Sequence, residues 1–161
     1  MSEKKITIDV VSDVVCPWCF LGRKRLENAL AMLPDVEAEI RWRPFQLDPT
    51  LPPQGKDRQA YMREKFGNSS KIDDIHKQLT ELGEENGIVF DFEAITRAPN
   101  TLDAHRLIHW AAQAAPDTQN KLVGTLFSWH ECSSGYFVRS YREDDEPGRR
   151  SSRVTVNGLL R

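Results

Sequence analysis

Two cysteines separated by two residues give the clearest chemical signal in the sequence. Cys16 and Cys19 enclose Pro17 and Trp18, and a predicted strand ends just before them. A helical pattern begins at the motif, so the first thiol is expected at a helix N-terminus, where free backbone N–H groups and the helix dipole favour negative charge. A thiolate there is a nucleophile, and a thiol one turn later can resolve a mixed disulfide. We therefore predict that Cys16 attacks a substrate disulfide and that Cys19 resolves the adduct.

Two other interpretations of the motif stay open, namely a pair of buried structural cysteines and half of a zinc site. A complete zinc site needs two more ligands, and on spacing alone His130 and Cys132 could supply them. The segment that carries these two residues shows no regular pattern, whereas paired zinc ligands usually lie on tight turns. We therefore predict a redox pair and no bound metal.

The composition favours an ordinary protein of the cytoplasm. Among the 161 residues, 22 Lys and Arg stand against 24 Asp and Glu, and the formal charge of −2 argues against a broad basic surface for nucleic acid. No apolar run approaches the ~20 residues of a membrane span, and the first residues do not have the pattern of a secretory signal. In a reducing compartment a close cysteine pair is more often catalytic or metal-binding than structural. We expect neither nucleic acid nor a membrane among the partners.

Patterns of apolar residues predict the elements that position the motif. Residues 6–11 and 36–42 alternate between apolar and polar, as strands do, and a helical pattern lies between them. A strand, a helix and a strand in this order form a parallel βαβ unit. Four helices are predicted downstream, the third capped by Asn100 and the fourth by Asp117.

The pattern divides the chain into three predicted regions. Residues 1–53 form the βαβ unit with its CxxC motif, residues 54–127 form a helical insertion, and residues 128–161 form an irregular tail. The tail contains an acidic run followed by a basic run and has no sustained period. Such composition is typical of a solvated or disordered segment.

Three segments of the sequence resemble the DsbA family of oxidoreductases, and most closely its FrnE-like branch. They are VSDVVCPWCFLG (residues 11–22), RWRPFQL (residues 41–47), and APNT followed by AHRL (residues 98–107). The resemblance covers roughly residues 6–127. It implies an α/β, thioredoxin-like fold with a βαβ core and an inserted helical domain. It also implies dithiol chemistry on the disulfides of proteins or small thiols, with no bound cofactor.

The resemblance also implies residues of the substrate cleft and an alternative enzyme function. Besides Pro17 and Trp18, it makes Asn100, His105 and Arg106 cleft candidates, although Asn100 is most simply a helix cap. The related 2-hydroxychromene-2-carboxylate isomerases and kappa-class glutathione transferases share the fold, bind glutathione and usually carry Ser where this chain has a cysteine. Glutathione is therefore a candidate co-substrate, and a glutathione-dependent isomerase or transferase is the alternative enzyme. The presence of two cysteines favours the disulfide branch.

The sequence after Phe127 departs from the family pattern. Members of the family return to the thioredoxin core with a β-hairpin and a final helix, and they carry a cis-proline beside the cysteines. No matching segment follows Phe127, so we expect the C-terminal ββα part to be missing. The sheet edge would then be open to a partner, such as a second copy of the chain in a homodimer. An inactive fragment or interaction module is the alternative that this departure leaves open.

Overall fold

The computed structural model describes residues 4–67, 69–114 and 117–132. Within these ranges the elements are, in order, β1 (Lys4–Ser12), α1 (Pro17–Ala31), β2 (Val36–Pro44), β3 (Lys56–Asp57), α2 (Arg58–Phe66), α3 (Ser69–Glu85), β4 (Arg97–Ala98), α4 (Leu102–Ala111) and α5 (Thr118–Glu131). The predicted strand–helix–strand unit and the four helices after it are confirmed. No pattern predicts β3 and β4, because two residues are too few to show a period.

Parallel pairing of β1 with β2 determines where the cysteine motif lies. The register runs from Lys4 opposite Val36 to Ser12 opposite Pro44, so the C-terminal ends of both strands lie side by side. The Phe45 N–H continues the ladder by donating to the Ser12 carbonyl oxygen over 3.2 Å. The residues that follow each strand therefore meet at one edge of the sheet.

Stacked aromatic rings join the βαβ unit to the helices after it. Phe127 on α5 is fully buried, and its ring stacks on Phe20 of α1 with the ring centroids 5.3 Å apart. Trp42 of β2 meets the same ring edge-on at 6.2 Å. Phe20 also meets Phe90 edge-on at 6.1 Å. The hydrophobic core is thus continuous from the first strands to α5.

A glutamine side chain binds the backbone of β2 on the side away from β1. Gln119 Oε1 accepts the Trp42 N–H over 2.9 Å, and its Nε2 donates to the Trp42 carbonyl oxygen over 3.0 Å. The same Nε2 donates to the Ile108 carbonyl oxygen over 3.2 Å, and Trp42 Nε1 donates to Asn120 Oδ1 over 3.0 Å. A side-chain amide thus satisfies backbone groups that a further strand would otherwise pair.

The short strands bring the segment before α4 against the loop after β2. Lys56 pairs with Ala98 and Asp57 with Arg97 in antiparallel register. Gly55 precedes this pair with a φ of +72°, and a Cβ on it would lie 2.5 Å from the Ala98 carbonyl oxygen. Glycine is therefore required here, both for the backbone angle and for the close approach.

The structure corrects two predicted boundaries and confirms a third. The N-cap of α4 is Thr101 rather than Asn100, one residue later than predicted. Helix α5 continues past Phe127 to Glu131, so the irregular tail does not begin at residue 128. Asp117 is the N-cap of α5 as predicted, although its side chain makes no capping hydrogen bond. The rest of the predicted tail, from residue 133 onward, lies outside the described residues.

We expect Phe127→Ala to lower the free energy of unfolding by about 3–5 kcal/mol, because it removes a fully buried ring that packs on Phe20 and Trp42. Urea denaturation followed by tryptophan fluorescence measures the change. Leu33→Ala is the control: this side chain is 51% exposed, and we expect a change within about 0.5 kcal/mol. Equal effects of the two substitutions would contradict the central place of Phe127 in the core.

Candidate redox site

The backbone places the first cysteine at the start of α1. Cys16 is the N-cap residue in extended conformation, and its carbonyl oxygen accepts the N–H groups of Cys19 and Phe20 over 3.0 and 3.1 Å. Pro17 follows as the first helical residue, where its missing N–H costs nothing. The Cys16 N–H donates to the Asp13 carbonyl oxygen over 3.1 Å, which closes the turn between β1 and the helix. The predicted position of the motif at a helix N-terminus is confirmed.

The two thiols are free, half-buried and close enough to act on each other. A side-chain hydrogen bond with Cys19, together with burial, raises the pKa of Cys16. The same hydrogen bond lowers the pKa of Cys19 to about 7. The pair therefore releases its first proton near neutral pH and shares the second between its sulfurs. The sequence predicts the lower pKa at Cys16, whereas the hydrogen bond in the structure places it at Cys19.

The Asp13 carboxylate lies buried beside the pair and connects three parts of the chain. It is 1% exposed, and its Oδ2 accepts the Leu47 N–H over 2.8 Å and the Thr101 hydroxyl over 3.2 Å. Its Oδ1 lies 3.1 Å from Nε2 of the buried His105. An ionised carboxylate only accepts hydrogen bonds, so Nε2 of His105 carries the hydrogen and donates it to Asp13 Oδ1. The residues after β1, the residues after β2 and the start of α4 thus meet at a single side chain.

The predicted cleft residues differ in what they contact. His105 reaches the cysteine turn through its bond to Asp13. Asn100 donates from Nδ2 to the Leu51 carbonyl oxygen over 2.6 Å, and its Oδ1 accepts the Leu102 N–H over 2.9 Å. It therefore ties the start of α4 to the loop after β2.

Two other side chains of the predicted cleft, those of Arg106 and Trp18, are exposed, whereas Pro17 is partly buried. Arg106 bonds to Asp103 over 2.8 Å on the surface of α4. Trp18 is 43% exposed and stands between the two cysteines in sequence, so its ring offers an apolar surface near them.

The end of α5 adds two buried titratable side chains, Glu131, which no sequence pattern indicates, and His130, which the sequence suggested only as a candidate zinc ligand. Burial raises the pKa of Glu131 to about 8, and burial lowers the pKa of His130 to about 4. Both groups are therefore uncharged at neutral pH, although Glu131 Oε1 and His130 Nε2 lie only 3.9 Å apart. When Glu131 is ionised, its charge raises the pKa of Cys16.

The sequence pattern contains a signal for Asp13 but none for Glu131. An acidic residue directly after an apolar strand and three residues before the first cysteine marks Asp13 as a residue at the sheet edge. Glu131 falls in the part predicted to be irregular, where no period indicates which side chains are buried. Only the continuation of α5 past Phe127 places it inside.

The described residues show neither a metal cluster nor a membrane-spanning helix. In the described ranges no group of three or more His, Cys, Asp or Glu side chains is arranged to hold a metal ion. No described helix is both long and apolar enough to cross a membrane.

We expect Glu131→Gln to change how folding stability depends on pH. Because the pKa of Glu131 is raised on folding, the folded protein holds its proton more tightly, and stability falls as pH rises from about 4.5 to about 8. The Gln variant lacks this loss, so it should match the unmodified protein near pH 4 and exceed its unfolding free energy by on the order of 2–4 kcal/mol near pH 8. Urea titrations at several pH values measure the difference.

The matched control is Glu84→Gln, because Glu84 is exposed on α3. We expect its pH profile to follow that of the unmodified protein. Parallel profiles for the unmodified protein and Glu131→Gln would contradict the burial of a neutral Glu131.

Comparison with known proteins agrees with this geometry. The profile of the DSBA-like thioredoxin domain matches residues 7–130. The uncharacterized protein YwbO of Bacillus subtilis is 27% identical over 143 residues, which cover 89% of this chain and 60% of that protein. The crystal structure of a probable DsbA oxidoreductase from Streptomyces coelicolor superimposes with a TM-score of 0.63 at 26% identity, over 78% of this chain and 53% of that one. This chain therefore spans little more than half the length of these relatives, and it belongs to the DSBA-like thioredoxin domain family.

Proposed function

We propose that this chain carries the redox site of a thiol–disulfide oxidoreductase of the FrnE-like branch, with Cys16 and Cys19 as its reactive pair. The observation that carries the proposal is the contact between two free thiols at the N-terminus of α1, one of which has its pKa lowered to about 7. A pair with this pKa holds a substantial fraction of thiolate at neutral pH, as disulfide exchange requires. Membership of the family supports the same chemistry.

The proposed reaction transfers two electrons from the pair to a substrate disulfide. The Cys16 thiolate attacks one substrate sulfur, the substrate S–S bond breaks, and the other substrate sulfur leaves as a thiolate that takes up a proton. The Cys19 sulfur, having lost its proton, then attacks the Cys16 sulfur of the mixed disulfide and releases the second substrate thiolate. The products are a reduced substrate and a Cys16–Cys19 disulfide, which an external thiol must reduce for another cycle.

Cys16 is proposed as the attacking residue because of its position. It is the N-cap of α1, so the free N–H groups of the first turn and the helix dipole stabilise negative charge there. Because the structure has the lower pKa at Cys19, the proposal includes transfer of the Cys16 proton to the Cys19 thiolate before Cys16 attacks. Cys19 lies one turn inside the helix and is placed to attack the mixed disulfide.

Exposed apolar side chains around the pair favour disulfides in proteins over those of small polar thiols. Trp18 is 43% exposed, and Phe45 and Leu47 at the exit of β2 are 52% and 45% exposed. The Phe45 N–H donates to the Ser12 carbonyl oxygen and the Leu47 N–H donates to the Asp13 carboxylate, so Phe45 and Leu47 lie next to the turn that carries the motif. Such a surface suits an extended apolar segment of a protein substrate.

The cellular setting is part of the proposal. We place the reaction in the cytoplasm, where glutathione or another small thiol would act as co-substrate and return the pair to its dithiol form. No other cofactor is invoked. We also predict homodimer formation through the edge of the sheet and isomerisation of substrate disulfides.

We expect the chain to catalyse reduction of insulin disulfides by dithiothreitol, and we expect Cys16→Ser to abolish this activity because it removes the attacking sulfur. Turbidity of the released insulin chains measures turnover. Cys19→Ser should instead accumulate a mixed disulfide with insulin on Cys16, which non-reducing gels and mass spectrometry detect. Cys132→Ser is the control and should retain activity.

Other outcomes would overturn the proposal in different ways. A folded chain without turnover would indicate a binding module that keeps the motif. Retention on immobilised glutathione without any disulfide exchange would indicate a glutathione-dependent isomerase or transferase. A mixed disulfide that forms in Cys16→Ser but not in Cys19→Ser would reverse the roles of the two cysteines.

A further inference from the structure

Asp13 contacts both halves of the redox pair through its backbone. Its carbonyl oxygen accepts the Cys16 N–H over 3.1 Å. Its own N–H interacts with the Cys19 sulfur and stabilises negative charge there. The Asp13 backbone therefore fixes the position of Cys16 and lowers the pKa of Cys19 before its side chain is considered.

The Asp13 side chain extends this connection to the helical insertion. Thr101, the N-cap of α4, donates its hydroxyl to Oδ2, and the buried His105 ring faces Oδ1. Together with the Leu47 N–H, three donors surround a carboxylate that is 1% exposed. An anion in such a place stays where its donors hold it, because no water can replace a lost partner.

We propose that Asp13 is a positioning residue for the redox pair: its buried charge, held in place by Thr101 and His105 of the helical insertion, sets how readily the two thiols ionise. This inference rests on the proposed function, because tuning of thiol ionisation matters only if the pair exchanges disulfides. The coupling between the buried carboxylate and the thiol pair can nevertheless be measured in a protein that shows no turnover.

The sign of the coupling follows from the charges. The carboxylate repels a thiolate, and it raises the pKa of Cys19. Thr101 and His105 hold the carboxylate in its position. Other groups around the site are the buried Glu131 and His130 at the end of α5, and Arg58 on α2 acts on both of them. None of these three hydrogen-bonds to the Asp13 side chain among the described contacts.

His105 is suited to report the coupling. Its Nε2 faces Asp13, and its Nδ1 is buried without a hydrogen-bond partner among the described residues. The electronic state of the ring therefore depends closely on the charge around Asp13. Because coupling free energies are reciprocal, ionisation of the thiols must change the environment of His105 as well.

The first test compares Asp13→Asn with Thr101→Val by titrating the thiolate through its ultraviolet absorbance. Asp13→Asn removes the repelling charge, so the midpoint should fall by at least about half a pH unit, and alkylation by iodoacetamide near pH 6 should become roughly three-fold faster. Thr101→Val removes one hydrogen bond and keeps the charge, so its midpoint should stay within about 0.2 units of the unmodified value. A purely structural role would give similar shifts in both variants and would overturn the proposal, as would an unchanged midpoint in folded Asp13→Asn.

A second measurement uses the unmodified chain and decides the question if Asp13→Asn does not fold. The ring resonances of His105 are followed by NMR across the pH range of thiol ionisation. They should show an inflection at the midpoint of the thiol absorbance, and the inflection should vanish in the Cys16→Ser/Cys19→Ser double variant. The same pH dependence of these resonances in the two proteins would overturn the proposal.

The two proposals fail separately. Loss of insulin reduction with an intact thiol–His105 coupling would remove the enzymatic function and leave the positioning role of Asp13. Turnover that depends on Cys16, without coupling between the thiols and His105, would support the enzymatic function and remove the positioning role of Asp13.

Discussion

A buried carboxylate that must be satisfied by donors from distant parts of the chain is the constraint on which this site depends. Asp13 is 1% exposed, and its partners come from Leu47, Thr101 and His105. Leaving such an anion unpaired in the interior would cost several kcal/mol. The insertion can therefore hardly move away from the βαβ unit without also disturbing the turn that carries the cysteines. Packing and chemistry are linked at this one residue.

A second connection between the insertion and the βαβ unit is the packing of α5 against β2 and α1. Phe127 fills the space between Phe20 and Trp42, and Gln119 binds the backbone of Trp42 in place of a neighbouring strand. The helix thereby brings its last residues, including the neutral Glu131, into the interior on the side of the redox pair. The hydrophobic effect stabilises this arrangement, while the buried polar groups determine its orientation.

The fold around the cysteines could be predicted because its signals are local. Alternation between Val36 and Trp42 identifies a strand, and Cys16 followed by Pro17 identifies a helix start. The partners of Asp13 could not be predicted, because Thr101 and His105 lie 88 and 92 residues further along the chain and no local period connects them. The end of α5 was missed for a related reason, since tertiary packing rather than periodicity buries Glu131. The distribution of the proton between the two thiols likewise depends on a side-chain contact that spacing alone does not specify.

The central claim is that Cys16 and Cys19 exchange electrons as a pair, and the most direct measurement is equilibration of the chain in glutathione redox buffers, with peptide mass analysis of each cysteine. The account predicts a single reversible two-electron transition that links Cys16 to Cys19 and leaves Cys132 outside the disulfide. A chain whose cysteines carry only separate glutathione adducts across the whole range, with no bond between Cys16 and Cys19, would contradict it.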